Sequence, residues 1–298
     1  MSLKDIIPGS SPISFPGLFG DWQFTLGPTL GDLFASSPAF LARIHWYGIL
    51  IALGLLLGLW VCTRQAKRFG LTEDNVMDTV IWGMPLGVLG ARIYYVVFYL
   101  DLYKNADGSL DFAKMVRIWD GGLAIYGGVI VGFLTACVLS RVKKFPYLAM
   151  MDDIVMGVLI GQLIGRWGNF MNREAFGAVT TAPWRMRLWA YDGQFYDVHP
   201  TFLYESLWNL VGFLLIRFLL TPRRRFDGEN LLAYLLWYGF GRLWIEGLRE
   251  DSLYLFDVTL FGAPVRVSQA LSAVLVVVSA VLLGLKLRKT PPAAANKS

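Results

Sequence analysis

The feature that most constrains this chain is a series of long apolar stretches, several of which end in a cluster of basic residues. Hydrophobic residues make up 55% of the 298 residues and charged residues only 16%, which is far more apolar than a soluble domain. A helix needs about 20 mostly apolar residues to cross a bilayer. The pattern predicts an all-α integral membrane protein with seven transmembrane helices, at His45–Thr63, Val76–Tyr99, Gly121–Ser140, Ile154–Gly165, Thr201–Leu220, Leu231–Leu248 and Val267–Leu285.

The basic clusters predict how these helices are oriented. Cytoplasmic loops carry an excess of Lys and Arg. We therefore expect four basic clusters on the cytoplasmic side: residues 64, 67 and 68; residues 141, 143 and 144; residues 223–225; and residues 286, 288 and 289. The N-terminus is then outside and the C-terminus is cytoplasmic. We interpret residues 1–298 as a single polytopic membrane domain, with an interfacial N-terminal segment (1–44), a small extracytoplasmic head (167–200) and a disordered tail (289–298).

Cysteine and histidine are too scarce for most metal or disulfide chemistry. Cys62 and Cys137 lie in apolar stretches, and His45 and His199 are the only histidines. We therefore predict no metal site, no disulfide framework and no cofactor, and we expect membrane lipids rather than nucleic acid as partners. The first forty residues are broken by charges, Pro, Gly and Ser, so we expect no cleaved signal peptide.

A polar helix end is predicted within Gly161–Gly177, where Arg166, Asn169 and Arg173 follow glycine-spaced apolar turns. If the helix continues, these three side chains share one face. Guanidinium groups bind phosphate oxygens with a planar fork, and a carboxamide adds a neutral donor. We therefore expect an anion with several oxygens at this site, and a phospholipid headgroup is the candidate ligand.

Charged residues inside other apolar stretches indicate the same polar interior. A charge at the centre of a membrane helix costs about 2.5–3.5 kcal/mol on insertion scales. Arg92 lies inside the second stretch, although an arginine that reaches back to the interface is the alternative interpretation. Tyr238, Arg242 and Glu246 recur every four residues in the sixth stretch, where the alternative is a purely structural ion pair between Arg242 and Glu246.

Six motifs, taken in order, resemble one family closely. They are His45-Trp46-Tyr47-Gly48, Gly90-Ala91-Arg92-Ile93-Tyr94-Tyr95, Trp119-Asp120-Gly121-Gly122, Gly165-Arg166-Trp167-Gly168-Asn169-Phe170-Met171-Asn172-Arg173-Glu174, His199-Pro200 with Leu203-Tyr204-Glu205, and Tyr238-Gly239-Phe240-Gly241-Arg242 with Glu246 and Arg249. The stretch Arg166–Glu174 is highly specific, and the other motifs are individually weak. Together they resemble the prolipoprotein diacylglyceryl transferases of bacterial membranes.

This resemblance implies a transferase of the bacterial plasma (inner) membrane, with its active site toward the extracytoplasmic face. The implied substrates are phosphatidylglycerol and the lipobox cysteine in the signal peptide of a preprolipoprotein, and the implied leaving group is glycerol phosphate. The reaction would be the first step of lipoprotein maturation. The residues on which the family relies match Tyr47, Arg92, Asp152, Arg166, Asn169, Glu174, Tyr238, Arg242 and Glu246 here.

The expected catalytic residues are Arg166, Arg242, Asn169, Glu246 and Tyr126. Arg166 and Arg242 would bind the phosphate and neutralise the charge that develops on it, while Asn169 donates a neutral hydrogen bond and Glu246 orients Arg242. Phosphatidylglycerol binding is assigned to seven residues: Arg166, Arg242, Asn169, Tyr47, Arg92, Glu174 and Tyr238.

The sequence does not identify the general base that would accept the thiol proton. Many members of the family have His where this chain has Tyr126, which puts a histidine base in doubt. Tyr126, Glu174 or no dedicated base are the candidates. A polar interior also suits a transporter or flippase for a lipid or other anion, or a noncatalytic lipid-binding scaffold. The sequence shows no internal repeat of the kind that paired transporter halves have.

Overall fold

The computed structural model describes residues 6, 11–34, 38–105, 107–249, 254–260 and 263–290. Within these ranges the long helices are α1 (Trp46–Gln65), α2 (Glu73–Phe98), α3 (Ile125–Lys143), α4 (Tyr147–Asn172), α5 (Thr201–Leu214), α6 (Glu229–Leu248) and α7 (Val267–Lys289). Short helical turns lie at Pro16–Phe19, Leu30–Leu33, Leu41–Arg43, Ala66–Phe69, Leu100–Tyr103, Phe112–Val116, Ile118–Asp120 and Thr221–Arg223, and a π-helical turn, Leu215–Leu220, continues α5.

Six of these helices, with their adjoining turns, are long and apolar enough to cross a membrane, as judged over the described residues. They are Trp46–Phe69, Glu73–Phe98, Ile125–Lys143, Tyr147–Asn172, Thr201–Arg223 and Val267–Lys289. The protein is therefore a mostly helical, multi-pass membrane protein. The predicted sixth crossing corresponds to α6, which is not among the six and which carries Glu229, Arg242 and Glu246 among its 20 residues.

Several helices extend past the boundaries that hydropathy indicates. The fourth was predicted at Ile154–Gly165, whereas α4 runs from residue 147 to residue 172 and includes the buried Asp152 and Asp153. At the start of α2, the Thr72 side chain accepts a hydrogen bond from the Asn75 N–H and the Asn75 side chain accepts one from the Thr72 N–H. Charged residues end an apolar window, but they do not end a helix whose backbone groups are satisfied. Of the predicted tail, residues 291–298 lie outside the described residues.

A four-stranded antiparallel sheet joins the N-terminal segment to the segment that precedes α5. Its strands are β1 (Ile13–Ser14), β2 (Gln23–Phe24), β3 (Met186–Trp189) and β4 (Phe195–Val198), in the order β2-β1-β3-β4. Ile13, Leu188 and Val198 form its buried face together with Phe170 near the end of α4. The predicted head is thus built on a sheet that also uses part of the predicted interfacial segment. A second antiparallel pair, β5 (Tyr254–Leu260) and β6 (Ala263–Arg266), lies between α6 and α7.

The chain forms two compact units, a larger unit of residues 1–60 and 154–298 and a smaller unit of residues 61–153. In the smaller unit, α2 and α3 approach so closely that a side chain on Gly127 would overlap the carbonyl oxygen of Gly90. In the larger unit, a Cβ atom on Gly58 of α1 would lie 2.9 Å from the carbonyl oxygen of Gly157 in α4. Glycines at these contacts let the helix backbones meet directly, as is common in membrane helices.

An indole pair connects α5 to α6 in the larger unit. The rings of Trp208 and Trp237 stack with centroids 4.2 Å apart. Each indole N–H donates to the backbone carbonyl of the other residue, at 3.0 and 2.9 Å. Gly212 and Gly241 leave the space that these two rings occupy. The facing sides of α5 and α6 are thereby held in a defined register.

Candidate functional site

Three arginines surround the carboxylate of Glu205 in the larger unit. Arg166 Nη2 on α4 lies 2.5 Å from Glu205 Oε2, and Arg242 Nη1 on α6 lies 3.3 Å from Oε1. Arg249 Nη1, one residue past α6, lies 3.7 Å from the same Oε1. The Glu205 side chain is only 7% exposed, compared with 24%, 17% and 12% for Arg166, Arg242 and Arg249. Charges withdrawn from water to this extent need partners that replace the lost solvation, and here each arginine faces a carboxylate.

Arg242 also contacts a second carboxylate, one turn further along α6. Its Nη2 lies 2.7 Å from Glu246 Oε2, and the Glu246 side chain is 2% exposed. The ion pair that the sequence suggested as a structural alternative is therefore present, but it is joined to Glu205 rather than isolated. We call the five ion-paired side chains the arginine cluster: Arg166, Arg242, Arg249, Glu205 and Glu246.

A small, open pocket lies beside this cluster. Tyr238, Arg242 and Glu205 line it together with Trp208 and Asn209. The predicted polar side of α6 thus faces a cavity bounded by α5. This is the position that a charged stripe on a membrane helix requires, because lipid contact would leave it unsolvated.

Asn169 connects Arg166 to Glu174 at the end of α4. The carboxamide oxygen of Asn169 accepts a hydrogen bond from Arg166 Nη1 at 3.4 Å, and its nitrogen donates to Glu174 Oε1 at 3.0 Å. Asn172 donates to the same Glu174 oxygen at 3.1 Å. The predicted neighbours Arg166 and Asn169 therefore lie together, and the Asn169 carboxamide links Arg166 to Glu174.

Tyr47, at the start of α1, lies against the same turn of α4. A Cβ atom on Gly168 would be 3.0 Å from Tyr47 Cε2, so a glycine is needed where the ring crosses the helix. The Tyr47 side chain remains about one-third exposed. Gly168 lies between Arg166 and Asn169 in the sequence, which brings Tyr47 to the predicted binding region.

The structure corrects the expectation that Arg173 shares one helical face with Arg166 and Asn169. The helix ends one residue earlier, and Arg173 has a positive φ of 54°, which turns the chain away from the helix axis. Its buried guanidinium donates to the carbonyl oxygens of Ser11 and Leu26, at 2.9 and 2.7 Å. This burial lowers the pKa of Arg173 to about 10. Arg173 therefore fastens the N-terminal segment to the end of α4.

Arg92 lies in the smaller unit, where backbone carbonyl groups surround it. Its guanidinium donates to the carbonyl oxygens of Lys114 and Met115 at 2.8 Å each, and to those of Gly121 and Gly122 at 2.5 and 2.9 Å. The residue is 5% exposed. Four of the five N–H groups of a guanidinium are thus directed at backbone oxygens. Arg92 joins two parts of the segment that precedes α3.

Tyr126 also lies in the smaller unit, in the first turn of α3. It is 41% exposed, and its ring centroid lies 6.5 Å from that of Tyr94 on α2. The arginine cluster belongs to the larger unit. Each unit therefore holds its own part of the predicted site: Arg92 and Tyr126 in the smaller, and Tyr47, Arg166, Asn169, Glu174, Tyr238, Arg242 and Glu246 in the larger.

Glu205 is the residue that sequence reasoning left out of the site. It was noted only as the end of the motif Leu203-Tyr204-Glu205. The signal was nonetheless available, because a carboxylate inside a predicted membrane helix is as costly as an arginine. A carboxylate at this position is the expected counter-ion of an arginine such as Arg242.

Backbone hydrogen bonds hold the segment after α4 against the ends of α5 and α6. The Gly177 N–H donates to the His199 carbonyl at 2.9 Å, and the Ala178 N–H donates to the Leu248 carbonyl at 2.7 Å. A Cβ atom on Gly177 would lie 2.8 Å from His199 Cβ and 2.9 Å from the Leu248 oxygen, so only glycine fits. His199 Nδ1 lies 3.0 Å from the Tyr204 hydroxyl, and burial lowers the pKa of His199. These contacts help to place Arg249, the residue after Leu248.

The chemistry available here is anion binding by guanidinium groups. Three arginines beside a pocket suit the oxygens of a phosphate, since charge-assisted hydrogen bonds to such oxygens are short and strong. Among the residues that the structure describes, no group of three or more His, Cys, Asp or Glu side chains is arranged to hold a metal ion.

Comparison with known proteins identifies the family. The sequence profile of the prolipoprotein diacylglyceryl transferases matches residues 38–285. Proteins named phosphatidylglycerol--prolipoprotein diacylglyceryl transferase are similar over most of their length. The relative from Finegoldia magna is 42% identical over 83% of this chain and 92% of its own length. The relative from Listeria monocytogenes is 40% identical over 84% of this chain and 88% of its own length. The relative from Limosilactobacillus reuteri is 41% identical over 84% of this chain and 89% of its own length. Since the profile spans α1 to α6 and the whole arginine cluster, this chain belongs to the prolipoprotein diacylglyceryl transferase family.

Proposed function

We propose that this protein transfers the diacylglyceryl group of phosphatidylglycerol to the cysteine thiol of a prolipoprotein, as the first step of lipoprotein maturation. The names of its relatives and its family membership support this assignment. The observation that carries it is the arginine cluster, in which Arg166 and Arg242 converge from two helices beside a pocket. An amphiphilic phosphodiester suits such a site, because its headgroup needs guanidinium partners while its acyl chains remain in the bilayer.

The reaction forms one bond and breaks one bond. The cysteine sulfur attacks the glycerol carbon that bears the phosphate, so a C–S bond forms as the C–O bond breaks. The phosphate departs as glycerol phosphate with the electron pair of that bond. The thiol proton passes to a base or to the departing phosphate. No oxidant or cofactor is needed for this balance.

Arg166 and Arg242 would neutralise the charge that collects on the departing phosphate. Donors that are already aligned when the charge develops lower the barrier, and removal of one such donor typically costs about 10²–10³ in kcat. Asn169 supports Arg166 through its carboxamide oxygen, and Glu246 holds Arg242 at 2.7 Å. We assign Tyr47, Tyr238 and Glu174 to the walls of the phosphatidylglycerol site.

We propose that Arg92 acts through the backbone of the segment before α3. Its contacts with the Gly121 and Gly122 carbonyls give this glycine pair a fixed shape. Both glycines have positive φ angles, of 84° and 76°, which other residues rarely adopt. Arg92 would therefore contribute to phosphatidylglycerol binding by shaping this segment.

Activation of the thiol follows from the same positive charges. A free cysteine thiol has a pKa of about 8.5, which leaves a few per cent as thiolate at neutral pH. Nearby guanidinium groups raise that fraction, and Tyr126 and Glu174 are the candidates for a dedicated base.

We further propose the arrangement of the chain in the membrane. Seven crossings, with α6 as the sixth, place the N-terminus outside and the C-terminus in the cytoplasm. The protein would lie in a bacterial plasma (inner) membrane as a single polytopic domain, with its active site toward the extracytoplasmic face. Its second substrate would be the signal peptide of a preprolipoprotein, with the lipobox cysteine as the acceptor.

A peptide assay tests the function directly. Purified protein is incubated with phosphatidylglycerol vesicles and a synthetic lipobox peptide, and the peptide mass is then measured. We expect a diacylglyceryl adduct on the cysteine peptide and none on its cysteine-to-serine form or with Arg166→Ala protein. Folded protein that binds the lipid but makes no adduct would contradict the proposal and favour an anion transporter or a binding scaffold.

A further inference from the structure

Glu205 belongs to the arginine cluster, but the proposed reaction gives this residue no role. It contacts all three arginines, whereas Glu246 pairs with Arg242. Its Oε2 faces Arg166 and its Oε1 faces Arg242 and Arg249, so one carboxylate orients guanidiniums from α4, from α6 and from the residue that follows α6. Glu205 also reduces the positive charge that the cluster offers to a ligand.

The charge of the cluster matches the substrate better than the product. Three guanidiniums and two carboxylates leave one net positive charge. The phosphodiester of phosphatidylglycerol carries one negative charge. A phosphate monoester carries about two at neutral pH, because its second pKa is near 6. The net charge of the cluster therefore neutralises the charge of the substrate but only half of the charge of the product. Without Glu205 the cluster would carry two positive charges and would neutralise the product.

We propose that Glu205 is a positioning residue that aligns the three arginines for the phosphodiester and weakens their hold on the glycerol phosphate that is released. This inference rests on the proposed transferase function. A single charge has a large effect here because Glu205 is 7% exposed, and water screens a buried charge weakly. Arg166 is the most exposed of the three arginines, so a phosphate can reach it while Glu205 stays in place.

The test compares the binding of glycerol phosphate with that of phosphatidylglycerol. Glu205→Gln keeps the size of the side chain and removes its charge. We expect the dissociation constant of glycerol phosphate, measured by titration calorimetry, to fall about tenfold. The dissociation constant of phosphatidylglycerol, measured without peptide, should fall only about threefold, because Coulomb energy scales with ligand charge. Turnover should fall as the product is retained. A purely structural residue would not shift the two constants by different factors.

Glu205→Asp separates charge from alignment. It keeps the carboxylate but shortens its reach, so the dissociation constant of glycerol phosphate should stay within about twofold of the wild-type value while kcat falls. Glu73→Gln, at an exposed position in the first turn of α2, is the matched control and should change none of these values.

Two results would overturn the inference. One is a folded Glu205→Gln protein whose dissociation constant for glycerol phosphate is unchanged or higher. The other is a Glu205→Asp protein that binds glycerol phosphate as tightly as the expected Gln variant; this variant decides the matter if Glu205→Gln does not fold. A wild-type protein that binds glycerol phosphate but forms no peptide adduct would instead contradict the proposed function, so the two failures are distinguishable.

Discussion

The buried and partly buried arginines of this protein are satisfied in two different ways. Arg92 and Arg173 donate to backbone carbonyl oxygens, which solvate a guanidinium without neutralising it. Arg166 and Arg242 instead pair with carboxylates. A carboxylate partner can share its arginine with an incoming phosphate, because both anions accept through oxygen atoms in similar geometry. At the scale of single residues, this difference separates arginines that hold the backbone from arginines that can bind a ligand.

Replacement of Arg242 by lysine should be nearly as damaging as replacement by alanine. Arg242 uses two guanidinium nitrogens for two carboxylates, a geometry that one ammonium group cannot reproduce. We expect a loss of about 10²–10³ in kcat for both variants in the peptide assay. Arg223→Lys, in an exposed basic cluster, is the control. An active Arg242→Lys protein would show that catalysis does not need the two guanidinium contacts of Arg242.

Tyr126→Phe tests whether the Tyr126 hydroxyl is the base. The substitution keeps the ring that packs near Tyr94, so folding should be preserved. A general base contributes about 10²–10⁴ in rate. We expect less than a threefold loss in kcat, since Arg charges raise the thiolate fraction without it. A loss of a hundredfold or more, with unchanged thermal unfolding, would instead assign the base to this hydroxyl.

Glycines decide how closely the membrane helices of each unit approach. In α3, Gly127 faces the backbone of α2, whereas Gly132 has open space where its side chain would be. Both positions are glycines in the same apolar helix, and hydropathy does not distinguish them. The contact with Gly90 is therefore a property of the helix pair and not of either sequence alone.

These two glycines offer a matched stability test. Gly127→Ala should destabilise the protein by about 1–3 kcal/mol, because its methyl group overlaps the Gly90 carbonyl. Gly132→Ala should stay within about 0.5 kcal/mol of the wild type. Thermal unfolding in detergent measures both effects. Equal unfolding temperatures for the two variants would show that α2 and α3 do not meet at Gly127.

The β3–β4 pair should give the protein a stability that depends on acid pH. Asp197 accepts hydrogen bonds from Arg185 and Arg187 at 2.7 Å each, and the contact with Arg187 is the main cause of the lowered pKa of Asp197. The folded state thus binds this proton more weakly than the unfolded state, whose Asp has a pKa of about 3.9. The stabilisation is present above that value and is lost as pH falls through the lower folded pKa.

Asp197→Asn should remove this dependence. At pH 7 we expect the variant to unfold at a lower temperature than the wild type, and the difference to shrink as pH falls below about 4. Thermal unfolding between pH 3 and pH 7 measures the difference. A gap that stays constant across this range would mean that the charge of Asp197 does not stabilise the sheet.

At the scale of the whole molecule, the number of crossings decides where the termini lie. Seven crossings place the residues before α1 and the end of α7 on opposite sides, and six place them on the same side. The number of crossings depends on α6, which is not among the six apolar spans and in which Arg242 and Glu246 belong to the arginine cluster. A helix whose charges are paired inside the protein can cross the membrane without exposing them to lipid.

Single-cysteine labelling can count the crossings. In a protein with Cys62→Ala and Cys137→Ala, exposed positions are replaced one at a time by Trp22→Cys, Tyr191→Cys and Lys289→Cys. We expect an impermeant maleimide to label the first two in intact cells and the third only after permeabilisation. Labelling of Trp22→Cys and Lys289→Cys under the same condition would contradict seven crossings.

Sequence reasoning succeeded where a residue type has one physical outcome. Apolar stretches become membrane helices, and Arg166 and Asn169, three residues apart, lie on one side of α4. It failed at Arg173, because the end of α4 depends on one left-handed residue and on carbonyls about 150 positions earlier in the chain. It passed over Glu205, which was noted only as the last residue of the motif Leu203-Tyr204-Glu205.

The amino-acid sequence by itself determined the membrane class, most helix positions, the polar motif on α4 and the resemblance that family comparison confirmed. Those properties follow from local hydropathy and from residue spacing within single helices. Only the tertiary structure decided that Glu205 gathers arginines from separate elements, that Arg92 and Arg173 bind backbone oxygens, and that the N-terminal segment completes a sheet with residues 186–198. The reason is that a buried charge needs a partner, but which partner it finds depends on how distant segments pack.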